Sequence, residues 1–181
     1  FGIPEERMLG RYLENVKIIE KALLLKDERF NYDGDFYQVR DGLLSPNSYQ
    51  EPRFPFWGGG QLPKAIERCA VYSESWTCDD FPIQQEVWDV QAGAYREKAI
   101  ELGKEPFIVL MRKAWVADTF EQAVEEYGAH YVPEMRFYCE QGILAHHPDF
   151  DSPEKITVES AREHIVVGSP EQCRERLERY Y

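Results

Sequence analysis

The nine residues Pro55-Phe56-Trp57-Gly58-Gly59-Gly60-Gln61-Leu62-Pro63 carry the clearest chemical signal in the chain. They read as a short apolar strand, a glycine turn and the start of a helix. Glycines let a backbone turn sharply and approach a ligand closely. A helix beginning near Pro63 presents amide N–H groups at the positive end of its dipole. Gly58, Gly59, Gly60 and Gln61 are therefore candidates for an anion pocket suited to a phosphate. A ligand-free turn between strand and helix fits the same residues. The run has the spacing of neither a dinucleotide fingerprint nor a P-loop.

Other residues with chemistry to offer are more scattered. Trp57 and Trp76 end strands, where an indole can stack on a flat ring or pack into the core; Trp76 is the better ring contact of the two. Arg112 and Lys113 lie on the strongest strand and read as snorkelling surface residues. His146-His147-Pro148-Asp149 reads as solvated loop, because adjacent histidines meet one ion less easily than an i, i+4 pair on a helix. His164 reads as structural, and no metal is expected. Cys69, Cys78, Cys139 and Cys173 show no CxxC spacing, so they are expected to be free thiols in a reducing cytoplasm, without zinc or redox motifs. No Ser/His/Asp or Cys/His set is recognisable, so no covalent nucleophile is expected and the catalytic residues stay unknown.

The elements that must position these groups follow from periodicity. Pro4 to Leu25 is a helix, with Met8, Tyr12, Val16, Ile19 and Leu23 on one stripe. Phe30 to Val39 is a hairpin turning at Asp33-Gly34, and Ser45 to Pro55 is a proline-rich loop. A strand–helix rhythm follows: strand Phe54 to Trp57, helix Pro63 to Val71, strand Glu74 to Thr77, helix Gln84 to Leu102. Strand Phe107 to Ala117 leads to helix Thr119 to Tyr131, with a second helix expected from Pro133 to Gly142 and a loop from Ala145 to Pro153. A short helix from Thr157 to His164, strand Ile165 to Val167 and helix Pro170 to Tyr181 complete the chain. Asp118 with Glu121, and Ser169 with Gln172 beside Pro170, have capping-box spacing. Four strand–helix units imply a parallel sheet with helical crossovers. That is half of a (β/α)8 barrel or a small doubly wound sheet. The chain is expected to be one domain, 1–181, with 133–153 as a candidate insertion or lid.

Hydrophobic residues are 43% and charged residues 30%, a soluble globular profile. The formal net charge of −12 and pI near 4.8 argue against nucleic acid and anionic membranes as partners. No apolar run approaches the ~20 residues of a membrane span. The chain opens on Phe1 and closes on Tyr180-Tyr181 within a helical pattern, so both ends are expected to be cut.

The order of these motifs resembles the bacterial-luciferase-like flavin monooxygenases. That family has a strand reading roughly Pro-Ile-Trp-Val-Gly-Gly, then small polar residues, a proline and a helix. Phe56, Trp57, Gly59, Gly60 and Pro63 take the matching places. Gly58 replaces an aliphatic residue, and Gln61 and Leu62 replace small polar ones. Phe1-Gly2-Ile3-Pro4 with Arg7 and Glu14, and the hairpin centred on Asp33-Gly34-Asp35-Phe36-Tyr37, resemble family segments too. Ser73-Glu74-Ser75-Trp76 stands where Ala-Asp-Gly-Trp is usual. Val116-Ala117-Asp118-Thr119 with Ala123, and Val166-Val167-Gly168-Ser169-Pro170-Glu171-Gln172, resemble the exits of strands seven and eight.

The resemblance implies an α/β fold, a (β/α)8 TIM barrel of which this chain is the C-terminal half, strands five to eight. It implies a flavin-dependent oxidoreductase, foremost a monooxygenase using FMN reduced by a partner reductase, molecular oxygen and a small organic substrate. Deazaflavin F420 with hydride transfer is the alternative cofactor, and a flavin-binding protein without turnover or an unrelated sugar-phosphate barrel are further readings. Gly58, Gly59, Gly60, Gln61 and Trp76 are its expected cofactor contacts. Acid/base residues would come from the other half. The complete protein is expected to be a homo-oligomer, and the isolated piece an aggregate or dimer, since half a barrel exposes sheet edges.

Overall fold

The computed structural model describes residues 6–78, 84–144, 147, 149–157, 160, 162 and 164–181. Contacts group the chain into two compact units, 1–56 with 72–74, and 57–71 with 75–181.

The first unit contains helix α1 (Met8–Leu25) and the antiparallel pair β1 (Phe30–Asp33) and β2 (Gln38–Gly42). Of the stripe expected on α1, Leu23 is buried but Met8, Tyr12 and Ile19 are exposed; its expected start at Pro4 lies outside the described residues. The hairpin turns where Asp33-Gly34 predicts. Its tip is held by the Glu14 carboxylate of α1, which accepts the amide N–H of Asp35 at 2.8 Å and those of Phe36 and Tyr37 at 3.1 Å. Desolvation pushes the Glu14 carboxyl up, but these three amides together outweigh it and hold it below its ordinary value.

The second unit alternates strand and helix. It runs β3 (Trp57–Gly59), α2 (Pro63–Tyr72), β4 (Ser75–Thr77), α3 (Gln85–Glu101), β5 (Ile108–Val109), β6 (Ala114–Val116), α4 (Phe120–Glu140), β7 (Val166–Gly168) and α5 (Pro170–Glu178). The described ladders here are all parallel, in the orders β3-β4-β5 and β6-β7. Helices must therefore carry the chain back between strands. One apolar cluster packs Ile66, Cys69 and Ala70 of α2 and Trp88, Ala92, Tyr95 and Ala99 of α3 against Trp76 and Cys78. A second packs Ala123, Tyr131, Met135 and Cys139 of α4 against Val167, with Phe150 and Ile156.

Three expectations change. The strand read over Phe107 to Ala117 is two, because its halves serve different neighbours: β5 pairs with β4, and β6 with β7. Between them the Met111 amide turns to the Cys78 sulfur at 3.3 Å. The two helices expected on either side of Val132 are one, with Pro133 inside α4. A proline there removes an i to i−4 bond, and burial of Met135 and Cys139 beyond it keeps the helix going. The cap of α4 is Thr119 rather than Asp118; its hydroxyl accepts from the Gln122 amide at 3.1 Å. The box at Ser169 and Gln172 is present as spaced. The short helix expected at 157–164 falls largely outside the described residues.

Candidate functional site

Along β3 the residues alternate exposed, buried, exposed. Successive strand residues point to opposite faces, so Trp57 and Gly59 share one face and Gly58 faces the α2–α3 cluster. Trp57 is 59% exposed and Trp76, the register partner of Gly58, is 1% exposed. The Trp76 ring stacks on Trp88 with centroids 5.7 Å apart and meets Tyr95 at 6.1 Å. No face of it is open to a ligand ring. Its contact with the glycine turn is polar instead: the indole N–H donates to the Gly60 carbonyl at 2.8 Å. The open aromatic of the pair is Trp57. The signal for this was in the sequence, as a period of two carried through Trp57-Gly58-Gly59.

The turn itself has its carbonyls held by side chains. Gly60 O is held by Trp76, and Gln61 O accepts from the Gln91 side chain at 2.9 Å. A peptide group is planar and trans, so its N–H points opposite to its C=O. The amides of Gln61 and Leu62 are therefore directed away from the side chains that hold these carbonyls. Only glycine fits at Gly60, where a Cβ would stand 2.6 Å from that of Ala65 in the first turn of α2. Over Gly59 there is room: the nearest atom to an added Cβ is the Thr77 carbonyl oxygen at 4.0 Å. Leu62, directly before α2, has no side-chain acceptor; the amides of Ala65 and Ile66 bond back to its carbonyl at 2.8 and 3.0 Å. The positive end of α2 is thus left without a capping side chain from Leu62, beside two exposed residues, Gly59 and Gln61. A small dianion such as a phosphate monoester suits that arrangement.

The first unit holds a charged cluster of its own that residue patterns did not single out. Arg53 donates to Glu74 at 2.9 Å and to Glu20 at 3.1 Å, and its guanidinium lies 3.9 Å from the Phe56 ring centroid. Glu74 also accepts the Phe56 amide at 2.6 Å. Burial pushes the Glu74 carboxyl up, but Arg53 and that amide outweigh it and hold it below the usual range. The departure from aspartate at this position therefore has a structural use: the longer side chain fixes the backbone at Phe56.

Arg112 and Lys113 do not snorkel. Lys113 Nζ lies 2.8 Å from Glu134 with only 12% of its side chain exposed. Arg112 sits over the Trp88 and Tyr180 rings and donates to the Met111 carbonyl at 2.6 Å. All four cysteines are buried and free, and burial pushes the Cys69 and Cys173 thiols up, toward the unreactive protonated form. His147 and Asp149 come together with the distant His164, one potential ligand atom from each lying within 4.8 Å of the others. No local spacing announced that convergence; His146 and Pro148 lie outside the described residues. The 133–153 stretch supplies the end of α4 and part of the connection into β7. Barrel active sites are built from strand-to-helix loops, whereas this is a helix-to-strand connection.

The profile of the luciferase-like monooxygenases matches residues 1–181. The chain belongs to this family. Solved structures share the fold of these family members. A monooxygenase, RslO1, from Streptomyces bottropensis superposes with a TM-score of 0.71 at 16% identity, covering 97% of this chain and 51% of that one. The oxygenating constituent of 3,6-diketocamphane monooxygenase from the CAM plasmid of Pseudomonas putida, a type II Baeyer–Villiger enzyme in complex with FMN, gives 0.68 at 16% identity over 98% and 55%. A coenzyme F420-dependent tetrahydromethanopterin reductase from Methanopyrus kandleri gives 0.64 at 14% identity over 91% and 53%. No curated protein sequence matches. The chain spans about half the length of the structures it matches. It therefore carries about half of a luciferase-like (β/α)8 barrel, in line with its four strand–helix units. No described helix is long and apolar enough to cross a membrane.

Proposed function

We propose that this chain supplies the phosphate-binding end of a flavin site in an FMN-dependent monooxygenase acting on a small organic substrate with molecular oxygen. The observation that carries the reading is the glycine turn at Gly59-Gly60-Gln61, with the Gly60 carbonyl held by Trp76, room over Gly59, and the start of α2 directly behind it. Family membership and the FMN-bound relative support it.

In this reading the amides of Gln61 and Leu62 bind the phosphate, and Gly59 leaves room for the chain that follows it. Gly58 serves by packing toward the core, and Trp76 by holding the turn rather than by touching the ring. Trp57, on the face of Gly59, offers the indole that a flat ring would meet. Bound reduced flavin would supply the electrons for oxygen chemistry; the residues named here bind, orient and exclude water. Acid and base groups belong to the remainder of the barrel, as do substrate choice, the partner reductase and the homo-oligomeric contacts.

F420 stands as the second reading because F420-dependent relatives share the fold. Its long acidic tail needs a basic exit path, and a chain of net charge −12 favours the shorter cofactor.

The test is titration of the complete protein with FMN, reduced FMN and F420, followed by absorbance and fluorescence. FMN binding weakened more than ~100-fold by Gly59→Asp, equivalent to about 2.7 kcal/mol, is the expected result. Binding of F420 alone would move the function to hydride transfer. A folded protein that binds neither would overturn the flavin reading.

A further inference from the structure

We propose that His147, Asp149 and His164 form a structural site for a divalent transition cation, best suited to zinc. The three side chains come from two segments, the connection that follows α4 and the residues just before β7. His164 Nε2 stands 3.5 Å from Asp149 Oδ2. Two ligands of a tetrahedral zinc with bonds of ~2.0–2.1 Å are separated by about 3.4 Å. The pair is therefore already spaced as one edge of such a site.

The third ligand is close and held in place. The rings of His147 and His164 meet edge to face at 5.2 Å. Phe150, fully buried, packs edge-on against both, at 4.7 and 4.9 Å. An apolar wall of this kind fixes both rings and lowers the local dielectric. His147 Nε2 is buried and has no hydrogen-bond partner among the described residues. A buried ring nitrogen without a partner is costly and calls for a water or an ion.

His147 Nδ1 accepts the Asp149 amide N–H at 3.2 Å, so in the empty state the proton sits on Nε2. A cation at Nε2 transfers that proton role to Nδ1 and opens this long contact. Two histidines and one carboxylate are a borderline-soft set that suits zinc over magnesium or calcium. The fourth position is left to water. The cation would tie His147 and Asp149 to His164 at the entry of β7, stabilising that connection. This inference does not depend on the flavin reading.

The experiment uses the complete protein, dialysed against a chelator and then titrated with Zn²⁺ or Co²⁺. One equivalent of zinc per chain, visible d–d bands with Co²⁺ and a Tm rise of roughly 5–10 °C are expected. Asp149→Asn, at a half-exposed position that tolerates the change, should weaken zinc at least tenfold while leaving the metal-free Tm in place. His164→Asn should abolish the Co²⁺ bands. Absence of a stoichiometric cation and of any Tm shift in the wild type overturns the proposal. So does zinc binding that both variants leave unchanged, because the ion would then sit elsewhere.

Discussion

Two junctions in the second unit have nearly the same plan, glycine followed by proline at a helix start, and opposite chemistry. At the exit of β7, Gly168 has φ 136°, and a Cβ there would press on the Gln172 side chain. Ser169 and Gln172 then close the start of α5 on itself. The Ser169 hydroxyl accepts the Gln172 amide at 3.4 Å, and Gln172 Oε1 accepts the Ser169 amide at 2.9 Å. At the exit of β3, the residue before Pro63 is Leu62, which cannot close anything. There the structure invests in holding carbonyls from behind, through Trp76 and Gln91. The first junction satisfies its own amides with side chains, and the second has side chains on its carbonyls instead. The difference lies in one side chain at the cap position, serine against leucine.

Changes at each junction should therefore separate. Trp76→Phe keeps an aromatic in the core but removes the N–H that holds Gly60. It should weaken flavin binding about tenfold and cost about 1 kcal/mol of stability through the lost hydrogen bond to a partly buried carbonyl. Fluorescence titration and denaturant unfolding report the two effects; unchanged affinity would mean the turn holds its shape without the indole. Ser169→Ala should cost about 1 kcal/mol, the worth of an N-cap. It should leave flavin affinity untouched, and a parallel loss of binding would erase the contrast between the junctions.

The hairpin of the first unit has its turn amides filled from within, by the Glu14 carboxylate. Because that carboxyl lies below its ordinary value in the folded protein, its contribution is present above the unfolded carboxylate range. It is lost as pH falls through the lower folded value. Glu14→Gln should make the hairpin insensitive to that acid range, as followed by amide exchange of Asp35, Phe36 and Tyr37. An identical acid profile in wild type and variant would remove Glu14 from this role.

Much of this was legible from residues alone. Glycine, proline and cap residues act over four or five positions, so the turn at 59–63, the hairpin and the Ser169 box could be read locally. Parallel strands declared themselves as apolar runs between helices, and the order of motifs pointed to the family. The split of Phe107 to Ala117 was not legible, because a strand's partners on either side are chosen by distant segments. The continuation of α4 through Pro133 was hidden for a similar reason: local propensity breaks the helix there, and burial of Met135 and Cys139 restores it.

The side chains of both units divide along the same line. That Gly58-Gly59-Gly60-Gln61 can turn and present amides follows from the sequence by itself, through the absence of Cβ atoms and the nearby helix start. Which tryptophan packs and which stays open, that Arg53 joins Glu20 and Glu74, and that His164 meets His147 and Asp149 were decided only by tertiary structure. The physical reason is range. Backbone freedom and capping are properties of neighbouring residues, whereas burial and ion pairing depend on which surfaces the folded chain brings into contact.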